Sequence, residues 1–126
     1  MKTIISVVAV AATLAAPVFA APDISRAFAE CTGRFSAEME HSWLIYEPED
    51  TTAEIIAERA TFISLLEAVT TPEEAPGLLN HRIAAKMAHA VLLQQAQFSL
   101  VEDRAEWAGA RAAASLQLCR SLLLGG

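Results

Sequence analysis

Cys31 and Cys119 are the only cysteines of this 126-residue chain, and their chemistry is the simplest to assign. They fit neither a zinc-ligand spacing nor a Cys-x-x-Cys-His haem attachment. In an exported chain two such thiols are expected to pair as a disulfide. The bridge would close a loop of about 89 residues and, in the chain-entropy model, stabilise the fold by about 4.5 kcal/mol. The three histidines come next. On a helical wheel His41 lies about 140° and His89 about 120° from the centres of their apolar faces, and His81 is nearly opposite the face that His89 avoids. All three are therefore expected in solvent and at different heights, whereas a metal site needs three or four donors converging within about 2–2.6 Å of one ion. Glu47, Glu49 and Asp50 lack the spacing of a calcium loop and are interrupted by Pro48. No Gly-x-Ser-x-Gly, His-Glu-x-x-His or Gly-rich phosphate loop occurs. The sequence implies no catalytic residue, no metal and no cofactor.

One apolar group is less ordinary. Trp43, Leu44, Ile45 and Tyr46 are four consecutive apolar residues, too many for a helix to hide in one seam. Phe98, Leu100, Val101 and Trp107 are expected at the same end of the molecule. Exposed aromatic side chains are the usual anchors of protein-binding surfaces. Trp43, Leu44, Ile45, Tyr46, Phe98, Leu100 and Trp107 are thus the candidate partner-binding residues; the competing expectation is that they plug the end of a core.

The elements that must position these residues are all helical. Asp23 reads as an N-cap, followed by Phe28, Cys31, Phe35, Met39, Trp43 and Tyr46 at steps of three or four. Arg26, Glu30, Arg34 and Glu38 alternate on the other side as a solvated ladder. Thr51 to Glu54 has the form of a capping box, opening a second helix that runs to about Thr70 through Ile55, Ile56, Phe62, Ile63, Leu66 and Val69. Pro76-Gly77 reads as part of a connection. A third helix over 78–98 directs Leu79, Ile83, Met87, Ala90, Val91 and Phe98 inward, with Leu92 projecting elsewhere, toward a second contact or a dimer. Capping boxes at Ser99–Glu102 and Asp103–Glu106 start a fourth helix with Trp107, Ala110, Ala114, Leu118 and Leu122 inward. No Pro or Gly lies between Phe98 and Asp103, so 78–123 also reads as one continuous helix.

Four segments joined by short links predict an all-α fold, a small antiparallel up-down-up-down four-helix bundle. The cysteines agree, because the start of the first helix and the end of the fourth share one end of such a bundle. The predicted bundle is similar to that of four-helix haem proteins, which implies a ligand- or haem-binding alternative. The c′-type attachment motif is absent, however, and the b-type Met/His pair is incomplete: Met39 is inward, but the fourth helix has no histidine. In size, export and cysteine pair the chain is also similar to small disulfide-linked acid-stress chaperones of the periplasm, without a shared motif.

Residues 1–20 read as a cleavable signal peptide: Lys2, a thirteen-residue apolar run over 4–16, Pro17, and small residues before a cut after Ala20. The expected mature part, 21–126, is one acidic helical-bundle domain without a membrane span. Removing Lys2 from nine Lys and Arg leaves eight bases against fifteen acids, a net charge of −7. That balance excludes nucleic acid as a partner. The first half of this part, to Glu74, carries twelve acids and three bases, whereas the second half carries three acids and five bases. The expectation is a periplasmic or secreted, non-enzymatic interaction module that binds a protein in the cell envelope or outside it, or a second copy of itself as a homodimer.

Overall fold

The computed structural model describes residues 23–124, and the expected signal peptide lies outside the described residues. Four α-helices are found among them, and no strand: α1 (Ile24–Leu44), α2 (Glu49–Val69), α3 (Ala75–Phe98) and α4 (Glu102–Leu123).

The helix ends follow local hydrogen bonding. Asp23 caps α1, its carboxylate accepting from the backbone N–H groups of Ser25 and Arg26 and from the Ser25 hydroxyl at 2.6 Å. The hydroxyl bond, followed by the Arg26 N–H, holds this carboxyl below its ordinary pKa. At the other end α1 stops at Leu44, short of the Tyr46 predicted by apolar spacing. The Tyr46 N–H donates to the Trp43 carbonyl and the Glu47 N–H to the Ser42 carbonyl. These are the two bonds of a Schellman motif, and Tyr46 occupies its left-handed position (φ 56°), where glycine is usual. α2 begins at Glu49, ahead of the predicted Thr51–Glu54 box; Pro48 holds the N-cap position, and Glu49 and Asp50 bring negative charge to the first turn. Pro76 does not break a helix. It sits in the first turn of α3, where its missing N–H has no helical partner anyway. Residues 99–101 separate α3 from α4, so 78–123 is two helices. Neither predicted capping box forms there; the Ser99 hydroxyl accepts from the Val101 N–H instead.

α1 is the hub, with α2, α3 and α4 each packed on it. One side of α1 carries Phe28, Cys31 and Phe35, which bury against Phe62 of α2 and Cys119 of α4. The Phe35 and Phe62 rings stack with centroids 5.5 Å apart, and Cys31 is bonded to Cys119 across a Cα separation of 5.6 Å. Arg120 of α4 lies over the Phe35 ring and grips both carboxylate oxygens of Glu58 on α2, at 2.8 and 3.0 Å. The other side of α1 is made of small residues four apart: Ala29, Gly33 and Ala37. A Cβ on Gly33 would overlap the Arg82 carbonyl oxygen and lie 2.9 Å from the Lys86 nitrogen, so the α1 and α3 backbones meet only because Gly33 has none. Ala37, Leu93 and Ala112 close a second cluster beside this crossing, with Ala90 and Leu92 against it. Leu92 therefore serves the core and does not project away.

Two faces expected to point inward point outward. On α3, Leu79, Ile83, Met87, Val91 and Phe98 are exposed, and Leu78, His89 and Leu93 are buried instead. On α4, Trp107, Ala110, Ala114, Leu118 and Leu122 are exposed, and Ala108, Ala112 and Cys119 are buried. The close crossing at Gly33 leaves no room for the bulky apolar edge of α3. The polar edge that turns inward is satisfied there: His89 Nε2 lies 2.8 Å from Glu38 Oε1, and Lys86 pairs with Glu40. His89 is thus buried, contrary to the solvent position its helical angle suggests. Its partner Glu38 and the neighbouring Arg34, whose guanidinium donates to Cys119 Sγ, leave the expected solvated ladder and are half-buried.

Candidate functional site

The ends of α1 and α3 come together through His41 and Phe98, whose rings meet edge to face at 6.5 Å. This contact places the α1–α2 turn and the α3–α4 turn at one end of the molecule. The candidate residues lie in or next to these two turns. Trp43 is 54%, Tyr46 93%, Phe98 57% and Trp107 56% exposed. Leu44 and Val101 are exposed as well, Leu100 completely so, and Ile45 alone is half-buried. None of these side chains belongs to either buried cluster, whose members include Phe35 and Phe62 in one and Ala37 and Leu93 in the other.

Local structure explains why so much apolar surface stays out. The Schellman turn swings Tyr46 off the α1 axis just as the helix runs out of neighbours. The three-residue link 99–101 has no side chain reaching back to the core, so Leu100 stands free. Two open clefts lie among these groups. One of about 420 Å³ is lined by Gln95, Val101, Asp103, Arg104 and Trp107; the other, of about 250 Å³, is lined by residues that include Glu40, His41, Leu44 and Gln94.

The charges around this end are nearly all of one sign. Glu47, Glu49 and Asp50 flank Tyr46, Glu102, Asp103 and Glu106 flank Leu100 and Trp107, and Arg104 is the one exposed base among them. The signal for this rim was present in the sequence as two acidic runs, each adjoining an apolar turn. It becomes a rim only when the fold sets the two turns side by side.

Two further chemistry-bearing groups are engaged elsewhere. His89 is held by Glu38, and Arg120 by Glu58. Among the described residues no three His, Cys, Asp or Glu side chains gather as a metal-holding group, and no helix is long and apolar enough to cross a membrane. Met39 is half-buried on α1, and α4 offers no histidine opposite it. No family model matches the chain, and neither a curated protein nor a solved structure matches it.

Proposed function

We propose that residues 21–126 form one exported, non-enzymatic interaction domain. In this reading it is an up-down-up-down helical bundle whose aromatic end holds a protein partner in the cell envelope or outside it. The observation that carries the reading is the exposure of Trp43, Tyr46, Phe98, Leu100 and Trp107 around one end, within an acidic rim. Aromatic anchors supply contact area at little entropic cost, and a ring of like charge selects the partner and speeds encounter. The rim chooses the chemistry: the partner presents an apolar segment flanked by Lys or Arg. The disulfide and the lack of a membrane-crossing helix among the described residues suit an oxidising compartment.

Photo-crosslinking in the native host tests this. A benzoyl-phenylalanine at position 46 or 100 should give a discrete protein adduct that weakens as salt rises, because the rim acts through screened charge. The same probe at Ser64, on the exposed face of α2, should give none. Equal labelling from all three positions, or none from 46 and 100, would overturn the proposal.

A further inference from the structure

The outer face of α3 is built the wrong way round for a surface helix. Leu79, Ile83, Met87, Val91 and Phe98 run along it, and each is at least half exposed, Met87 the most among them at 63%. Between them lie Asn80, Ala84, Ala88, Gln94 and Gln97, so this face holds no Asp, Glu, Lys or Arg. The two strong bases of α3 are half-buried: Lys86 borders the face and pairs with Glu40 of α1, and Arg82 carries the backbone carbonyl that meets Gly33. Sequence periodicity marked this stripe as core; the fold leaves it in water.

From this we propose that α3 is the contact face of a homodimer, in which the stripe of one copy packs on the same stripe of a second. Charge decides the occupant. The chain is strongly acidic, so two copies meeting on α2, with its five carboxylates and one arginine, would set like charges against each other. The α3 face carries no formal charge, so the same patch of two copies can meet on it without like-charge repulsion, as a two-fold interface requires. Its size also fits. The stripe extends about 28 Å along the helix at 1.5 Å per residue. Half the surface of five large apolar side chains is on the order of 500 Å², already at the upper range of what a monomer exposes. The small and amide residues between them bring the face toward the roughly 800 Å² per partner of a standard interface. Ile83 and Met87 lie at its centre. The stripe shares Phe98 with the aromatic end, but the proposal rests on Leu79, Ile83, Met87 and Val91 and needs no partner there.

Sedimentation velocity on the disulfide-bonded protein, from expression of the full chain in an exporting host, tests it over about 1–200 μM. The wild type should pass from monomer to dimer within that range. Ile83→Glu combined with Met87→Glu should raise the dissociation constant at least ~100-fold, because each copy then meets buried like charges. Ala84→Arg, at an exposed small residue of the same face, should act in the same direction. Unchanged far-ultraviolet circular dichroism in both variants separates lost contact from lost fold. Trp43→Ala should dimerise as the wild type does. A wild type that stays monomeric at about 200 μM overturns the proposal. So does a double variant that still dimerises, or a Trp43→Ala variant that no longer does.

Discussion

Adding a single methyl group to Gly33 should unfold this protein more readily than removing most surface side chains would. In an unhindered helix interior, replacing glycine by alanine stabilises by about 1 kcal/mol. Here the new Cβ meets backbone, the Arg82 carbonyl oxygen and the Lys86 nitrogen, and a backbone atom cannot rotate away as a side-chain tip can. Relief requires α3 to back off from α1, loosening the Ala37–Leu93–Ala112 cluster and stretching the Glu38–His89 bond beside it. Overpacking of this kind costs about 1–3 kcal/mol, and the absence of any flexible neighbour puts Gly33 at the upper end. Subtracting the gain in helix propensity leaves a net loss of about 2 kcal/mol, or roughly 8–16 °C in melting temperature for a domain this small. Two other glycines serve as controls. A Cβ at Gly77 meets nothing within 4 Å, and one at Gly109 makes only ordinary contact with the Ala96 Cβ at 3.7 Å. Gly77→Ala and Gly109→Ala should therefore leave stability unchanged or raise it by up to about 1 kcal/mol. Urea denaturation followed by circular dichroism measures all three. A Gly33→Ala variant as stable as the wild type would refute the close crossing on which the fold description rests.

Reducing the Cys31–Cys119 bond, which spans 88 positions of sequence, should lower the melting temperature by at least about 10 °C, given roughly 4–8 °C per kcal/mol; calorimetry with and without reductant reads this directly, and free thiols in the native protein would contradict the pairing. Tyr46→Gly should stabilise by about 1 kcal/mol, because glycine takes the left-handed position without a Cβ penalty and the exposed tyrosine ring gives up little packing. If the aromatic end binds the proposed partner, the same variant should lose affinity for it, so stability and binding should move in opposite directions. Glu38→Ala should cost about 1–3 kcal/mol, since it strands the Nε2 of His89 in a site where that side chain is only 2% exposed; His89→Leu introduced alongside should recover part of the loss, as seen in the urea midpoint.

The sequence by itself determined the helices and the cross-link. Periodicity of three and four, the absence of strand patterns, and Asp23 as a cap were local signals, and the structure uses them locally. The cysteine pair was legible because no other thiol competes for either partner. Phe28, Phe35 and Phe62 were legible as core because large apolar rings have few stable alternatives to burial. The apolar residues at 43–46 were legible as surface, since four consecutive apolar residues exceed what one helix seam can hide, and Trp43, Leu44 and Tyr46 are exposed.

Tertiary structure decided which way α3 and α4 face. Apolar periodicity says only that a helix has an apolar side; it does not say whether that side meets its own chain or another surface. In this chain the choice is made by Gly33, whose missing side chain lets α3 approach α1 backbone to backbone. That approach excludes the bulky stripe from Leu79 to Val91 and admits His89 and Leu93, with Glu38 and Glu40 supplying partners for the polar groups drawn in. No spacing rule applied to α3 alone contains that information, because the deciding residue lies on another helix, about fifty positions away in the sequence. The same holds for the acidic rim: two runs of carboxylates separated along the chain share one site only because α1 and α3 end together.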